Sequence, residues 1–464
     1  MSRPPNIVLC MCDQLRAFEV GCYGNPTIRT PNMDRLASEG VRFETAVTSY
    51  PICMASRSVL LSGMYNRSCT GGISNVAYPG RPGSFALPEY PFSGRPHLRE
   101  TTLPELLRAQ GYHTAVIGKW HIHSWPQDIG FDDYLIPRVH HCHSAQSYTE
   151  NGGPEFAPAG WSVDFEAERV ERFLLGRSRS ETPFFLYYNL SPPHGPLADA
   201  PEEYLTMYRP EEIPLRPNVN PHMPLRDQDY WYRVYRYDFR YYEMHLPYTD
   251  RLPEGYSLRH MIAEYYGLTT WTDHTIGRVL SALDAAGLAE NTIVVFTSDH
   301  GDNLGSHGLV QKGTPNEESI RVPLIFRLPE SRRAGTVASR QVAGLVDLAP
   351  TLLSLAGIPP AAHLHGRDLA PVIRGECEEL ADNYAVIEME RGAAIRTPTH
   401  SAFFPYRESA RTLAKQPTQL YDLQADPYQL HNRAEEESEG IGRALSQRMK
   451  EWDSRTPWMQ TTEG

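Results

Sequence analysis

The clearest pattern along the 464-residue chain is a set of short apolar runs that stop abruptly at polar residues. Residues 6–12 end in Asp13-Gln14, residues 112–117 in Gly118-Lys119-Trp120-His121, residues 183–190 in Ser191-Pro192-Pro193-His194, and residues 292–297 in Ser298-Asp299-His300. Such runs, lacking in–out alternation, predict strands covered on both faces. Helical patterns fall between them. One begins at Thr30-Pro31, with a cap residue and a proline in the first turn, and is stopped by Gly40; others cover 101–110, 165–175, 258–288 and 347–355. Residues 41–43 and 317–326 read as further strands. Strands alternating with helices predict an α/β fold with a mostly parallel sheet, whose ligand sites lie at the carboxyl edge.

Gly357-Ile358-Pro359-Pro360 is the best domain boundary, because it is rich in Pro and Gly and follows a full helix. Beyond it, residues 384–388, 393–396, 401–404 and 419–423 predict a small antiparallel sheet, and 441–452 a closing helix. The expected organisation is a catalytic domain over 1–357 and a smaller α+β subdomain over 358–464. Residues 205–255 interrupt the rhythm as an insertion, and residues 78–94 read as irregular. The run from Tyr230 to Tyr242 packs aromatics and arginines so densely that it reads equally as a substrate wall or as an interface, including one between copies of the chain.

The chain is organised around residues 49–63, S-Y-P-I-C-M-A-S-R-S-V-L-L-S-G. A turn delivers Cys53 to a helix start, and Arg57 follows one turn later on the same face. The unpartnered N–H groups and the macrodipole of a helix start favour an anion there. A thiolate phosphatase would need arginine six residues after the cysteine, and that residue is Val59. Asp13-Gln14 and Asp299-His300 offer mainly oxygen ligands to a hard cation. The contiguous His140, His141, Cys142 and His143 cannot all turn inward as a preorganised zinc site and read as a loop near the substrate entrance.

The stretch around Cys53 resembles the signature of the type I sulfatases, C-x-P/A-x-R followed by an apolar run and Gly. Thr30-Pro31-Asn32-Met33-Asp34-Arg35-Leu36-Ala37, Gly118-Lys119-Trp120-His121, the Ser191 to Pro196 loop, Ser298-Asp299-His300-Gly301 and Leu420-Tyr421-Asp422-Leu423 are similar to that family's motifs, in the family's order. The resemblance implies an alkaline-phosphatase-like fold: a mixed, mostly parallel sheet flanked by helices, with the C-terminal α+β subdomain. It implies hydrolysis of a sulfate monoester, a sulfated sugar or an aryl sulfate, by a Cys53 converted to formylglycine by a separate maturation enzyme. It further implies a divalent cation held by Asp13, Gln14, residue 53, Asp299 and His300, with calcium the first expectation and manganese the second. Arg57 would steady the nucleophile, Lys119 and Lys312 would bind the sulfate oxygens, and His121 would help collapse the intermediate. His194 or Lys312 would protonate the leaving alcohol, and Asn75 is a further candidate for a substrate oxygen. Gln14 and His300 stand where many relatives have Asp and Asn, a pair that also suits a phosphonate monoester or phosphodiester hydrolase of the same superfamily. A binder of sulfated glycans with an unmodified Cys53 is the non-enzymatic alternative.

Composition narrows the field further. Hydrophobic residues make up 41% and charged residues 22%, as in globular proteins. A net charge of −12 and the lack of a lysine-rich run exclude a general nucleic-acid binder, so an anionic substrate needs a local positive pocket. No run of about eighteen apolar residues predicts a membrane span. The N-terminus enters a strand without an apolar leader segment, which reads as a cytoplasmic protein or one whose leader was removed. The seven cysteines show no framework spacing and fit a reduced compartment, with Cys10 and Cys12 as packed thiols.

Overall fold

A computed structural model describes residues 3–75, 94–138, 141–219, 227–237, 251–329, 333–407 and 411–460. Most of the stretch 78–94, the second half of the 230–242 aromatic run and His140 lie outside these residues. Nine strands form the main sheet: β1 (Asn6–Asp13), β2 (Val41–Val47), β3 (His113–Gly118), β4 (Asp133–Pro137), β5 (Tyr148–Glu150), β6 (Phe184–Pro193), β7 (Thr292–Ser298), β8 (Leu324–Arg327) and β9 (Thr336–Gly344). Their order is β5-β4-β3-β6-β1-β7-β8-β2-β9. The central strands β4, β3, β6, β1 and β7 are mutually parallel, whereas β5 and β8 run against their neighbours. β1 lies at the middle with every residue buried, as its unbroken apolar run requires. Leu9 and Met11 face one core, and Cys10 and Cys12 face the other.

The helix Leu258–Ala285 crosses one face of the sheet and packs on β6 and on the helices Ser162–Gly176 and Pro31–Glu39. It also caps the last of these. Thr30 makes no capping bond; instead Asp273 accepts the N–H groups of Asn32 and Met33 at 3.0 and 2.7 Å. A tertiary carboxylate therefore does what the local sequence assigned to threonine.

The expected strand over 317–326 is two elements: Glu317–Ile320 is a helical turn, and only β8 is extended. β9, whose outer half alternates irregularly between exposed and buried positions, has no apolar run to announce it. The sheet β10 (Ala385–Met389), β11 (Gly392–Arg396), β12 (His400–Pro405) and β13 (Gln419–Asp422) is antiparallel throughout, and the helix Ile441–Arg455 follows it. Its Ile395, Phe404 and Leu420, together with Trp452, share one continuous core with Val59 and Leu60. Arg67 fastens this junction: it pairs with Glu388 at 2.7 Å and Asp453 at 2.5 Å and stacks on Trp452. Among the described residues no helix is long and apolar enough to cross a membrane.

Beneath β3 and β6, the hydroxyl of Tyr148 donates to Glu166 at 2.8 Å, and burial pushes that carboxyl up from 4.5 to about 8. Folded protein thus retains a proton that unfolded chain releases. Stability is greatest below pH 4.5 on this account and is lost as pH rises towards 8. Glu166→Gln is expected to remove the slope, so its advantage over wild type grows by roughly 1 kcal/mol per pH unit through that window. Denaturant unfolding at several pH values checks this; a constant difference would mean the folded carboxyl is already ionised.

Candidate active site

The carboxyl ends of β1 and β7 lie side by side, with Cys12 in register with Ser298, so the next residues, Asp13 and Asp299, emerge together. Opposite them stands the helix Cys53–Ser62, every residue of which is buried and which Gly63 ends in the left-handed region at φ 63°. Cys53 is its first residue and points at the acids. One turn on, Arg57 donates to Oδ2 of Asp299 at 2.8 and 3.1 Å, to Oδ2 of Asp13 at 3.1 Å and to Oδ1 of Asn189 on β6 at 2.7 Å. One guanidinium thus ties three strands together, and its fork geometry suits that task.

Because Arg57 takes the Oδ2 atoms, the Oδ1 atoms are turned towards the centre, that of Asp299 also accepting the N–H groups of Gln14 and His300 at 3.1 and 2.9 Å. Oδ1 of Asp13 lies 3.6 Å from Cys53 Sγ, and His300 Nε2 lies 3.7 Å from that oxygen, 3.5 Å from Oδ1 of Asp299 and 3.2 Å from Sγ. Donor atoms of Asp13, Cys53, Asp299 and His300 all fall within 4.8 Å of one another. The Nδ1 proton of His300 is directed at the Gly301 carbonyl, 2.9 Å away, so Nε2 faces the cluster; against the pull of burial Asp299 pushes this imidazole up, and a bound cation would take the place of its Nε2 proton. Two carboxylate oxygens, an imidazole nitrogen and the group at position 53 fit a divalent cation.

Cations rim this cluster. Lys119 Nζ donates to Asp13, and Lys312 Nζ lies 2.8 Å from Gln14 Oε1 and 3.1 Å from Cys53 Sγ. Burial and Asp13 would push the Cys53 thiol up, yet Lys312, Lys119 and His300 outweigh them and bring it from 9.0 to about 6. Asp13 resists the upward push of burial, because Lys119, His194, Lys312 and Arg57 hold its carboxyl well below the usual range. Burial and the neighbouring Asp13 raise Asp299 to about 6. The positive pocket demanded by a chain of net charge −12 is present, and it is local.

Three imidazoles form the outer wall. His194 and His141 stack at 3.9 Å with 12° between their planes, and His121 stands edge-on to His141 at 6.0 Å. Burial lowers all three, helped by Lys119 for His121, by His194 for His141 and by Lys312 for His194. Beside them opens a cleft of about 610 Å³ lined by Arg138, Cys142, Gln146, Pro196, Asp199 and Arg236.

Most of the residues expected from sequence meet here: Asp13, Gln14, Cys53, Arg57, Lys119, His121, His194, Asp299, His300 and Lys312. Asn75 does not join them. It is exposed, and none of the described contacts of the cluster involves it. Arg57 also differs from expectation, since its hydrogen bonds address carboxylates, Asn189 and the Lys119 carbonyl rather than residue 53. Lys119 and His121 lie beyond the end of their strand. β3 ends at Gly118, whose φ of 94° and approach to the Asn189 carbonyl leave no room for a Cβ, and the chain beyond it is irregular, with His121 itself in the left-handed region at φ 49°.

Sequence reasoning missed His141, Asn189 and Asp302. His141 contacts Lys119 Nζ at 3.1 Å, while His143 of the same cluster bonds the Asp199 backbone and serves the loop. A polar Asn189 inside the apolar run of β6 was the available signal. The aromatic insertion contributes the helix Gln228–Arg236, whose Tyr232 and Tyr235 are buried and whose Arg236 reaches the cleft.

The Sulfatase family model matches residues 5–358, and the model described as N-sulphoglucosamine sulphohydrolase, C-terminal, matches 305–455. The chain is 31% identical over 446 residues to an ulvan-active sulfatase of Formosa agariphila, covering 92% of this chain and 76% of that one. It is 32% identical over 411 residues to an arylsulfatase of Clostridium perfringens, covering 80% and 78%. Among solved structures, one in complex with its substrate D-glucosamine-2-N,6-O-disulfate is similar with a TM-score of 0.77 and 26% identity over 98% of each chain.

Proposed function

The chain belongs to the sulfatase family and hydrolyses sulfate esters, and from that premise we propose that residue 53 acts as formylglycine beside one divalent cation, on a sulfated sugar or aryl sulfate. The observation that carries the reading is the convergence of Asp13, Asp299, His300 and residue 53 within 4.8 Å. Cys53 Sγ stands where the oxygens of a hydrated aldehyde would project. The hydrate supplies an oxygen nucleophile with a second hydroxyl on the same carbon, and the cation supplies its acidification.

The chain's own residues do the rest. Asp13, Asp299 and His300, with Gln14 beside them, would hold the cation, and Arg57 fixes the two carboxylates so that their Oδ1 atoms stay turned inward. Lys119 and Lys312 take the anionic sulfuryl oxygens, where preorganised charge in a water-poor site acts most strongly. Of the two candidate proton donors, Lys312 stays charged, because against the pull of burial Asp13 and Asp299 hold its ammonium whether or not residue 53 is a thiol, whereas burial and Lys312 keep His194 neutral. Lys312 is therefore the group that delivers a proton to the leaving oxygen, and His194 positions that oxygen. Neutral His121, with His141 against it, accepts the proton of the second hydroxyl. The calcium preference rests on the oxygen-rich donor set, and the manganese alternative on His300. Conversion of Cys53 requires a maturation enzyme.

Peptide mass across residue 53 and turnover of an aryl sulfate before and after chelation test this together. Chelation is expected to abolish turnover and calcium to restore it, in protein whose residue 53 carries the aldehyde mass. Full activity after exhaustive chelation would remove the cation, and full activity with an intact cysteine would remove the formylglycine.

A further inference from the structure

We propose that Asp302, braced by Tyr235, is a positioning residue that orients the Gln14 amide so that its oxygen, not its nitrogen, faces the centre. The inference rests on the proposed cation site and adds to it a residue outside the family resemblance read from the sequence.

Gln14 is held at each of its polar groups. Its N–H donates to Oδ1 of Asp299 at 3.1 Å, its carbonyl accepts from the Tyr265 hydroxyl, its Nε2 donates to Oδ2 of Asp302, and its Oε1 accepts from Lys312 Nζ at 2.8 Å. The backbone there is left-handed, at φ 67°, so the residue sits in a conformation that its surroundings impose. An amide can turn over, and which end faces inward is decided by its partners. A carboxylate only accepts and an ammonium only donates. With Asp302 behind and Lys312 in front, the reversed amide would set NH2 against NH3⁺ and oxygen against carboxylate.

Asp302 is itself immobilised. It is fully buried, accepts the Leu304 N–H at 2.9 Å, and receives the Tyr235 hydroxyl at 2.8 and 2.9 Å. The same hydroxyl accepts the N–H of Gln311 at 2.6 Å, next to Lys312. The helix Gln228–Arg236 of the insertion therefore sets the direction of Gln14 and the start of the Lys312 side chain through one phenol. An amide at position 14 works as a ligand only because this brace is present; a carboxylate there, with two equivalent oxygens, would not need it.

The test is a charge-conserving exchange. Calcium titrations read by unfolding temperature, and separately by aryl sulfate turnover, compare wild type, Asp302→Asn and the double variant Gln14→Glu with Asp302→Asn. In the single variant, the new amide at position 302 accepts the Leu304 N–H through its oxygen and turns its NH2 towards Gln14, which reverses the Gln14 amide. The calcium midpoint is expected to rise by about 10- to 100-fold. In the double variant that NH2 donates to a carboxylate at position 14, and the midpoint is expected to return to within about threefold of wild type, a rescue that general damage to packing would not give. An unchanged midpoint in Asp302→Asn, or no recovery in the double variant, overturns the proposal. If Asp302→Asn does not fold, Tyr235→Phe reads the same brace, with an expected rise of about 3- to 10-fold from one lost hydrogen bond; no rise overturns it. Wild type whose unfolding temperature ignores both calcium and manganese would instead remove the cation site, and this inference with it.

Discussion

Cys53→Ala is expected to lower turnover of an aryl sulfate by ~10⁴-fold or more, while the unfolding free energy changes by no more than about 1 kcal/mol. The asymmetry follows from where the side chain sits. Cys53 is the first residue of a helix whose apolar end, Val59 to Leu61, is locked in the core, so truncation at the mouth removes one buried atom and no helix contact. The pairings that hold the site, Arg57 with Asp13 and Asp299, do not pass through it. What disappears is the only group placed within 3.1 to 3.2 Å of both Lys312 and His300 at the centre of the cluster among the described residues. Activity retained at a tenth of wild type or better would mean that the nucleophile lies elsewhere.

Arg57→Met is expected to be costly in the other direction, lowering stability by about 3–5 kcal/mol as well as abolishing turnover. Its side chain is wholly buried, as are those of both carboxylates it binds. Without it, Asp13 and Asp299 face each other with Lys119, Lys312 and His300 as remaining neighbours that carry or accept positive charge, none of which bridges the two Oδ2 atoms among the described residues, and the Asn189 side-chain oxygen loses its donor. Buried like charges deprived of their counter-ion cannot be resolvated, so the fold bears the cost directly. Calcium is expected to recover part of the loss, because a cation that Asp13 and Asp299 would hold would supply charge that the guanidinium no longer does. Chemical unfolding with and without calcium measures both parts. A loss below about 1 kcal/mol in the calcium-free protein would show that the two carboxylates do not need this arginine to remain buried.

Fold class and much of the site were legible in the chain itself, for a specific reason. A strand buried on both faces must be apolar throughout, so the first charged residue after it marks the sheet edge, and Asp13 and Asp299 stand at that point. The small C-terminal sheet was legible for the same reason in miniature, since its turns are sharply marked. β9 was not legible, because half of it is exposed and its sequence carries no hydrophobic signature. Nor was the helical turn at Glu317–Ile320, where the buried glutamates look like strand-edge residues until Glu317 is seen bound to Arg396 at 2.9 Å and Glu318 to Arg216 at 2.8 Å.

Local patterning by itself determined that Asp13, Asp299, Cys53 and Lys119 would lie at strand and helix ends, because burial of the segments beside them leaves no other place for polar groups. It did not determine which oxygen of each acid faces inward, or that His141 joins the wall while His143 does not. Those choices belong to contacts between residues 106 to 288 positions apart in sequence, such as Lys119 with Asp13, Arg57 with Asp299 and Gln14 with Asp302. Direction is a property of the partner, and only the folded chain supplies the partner.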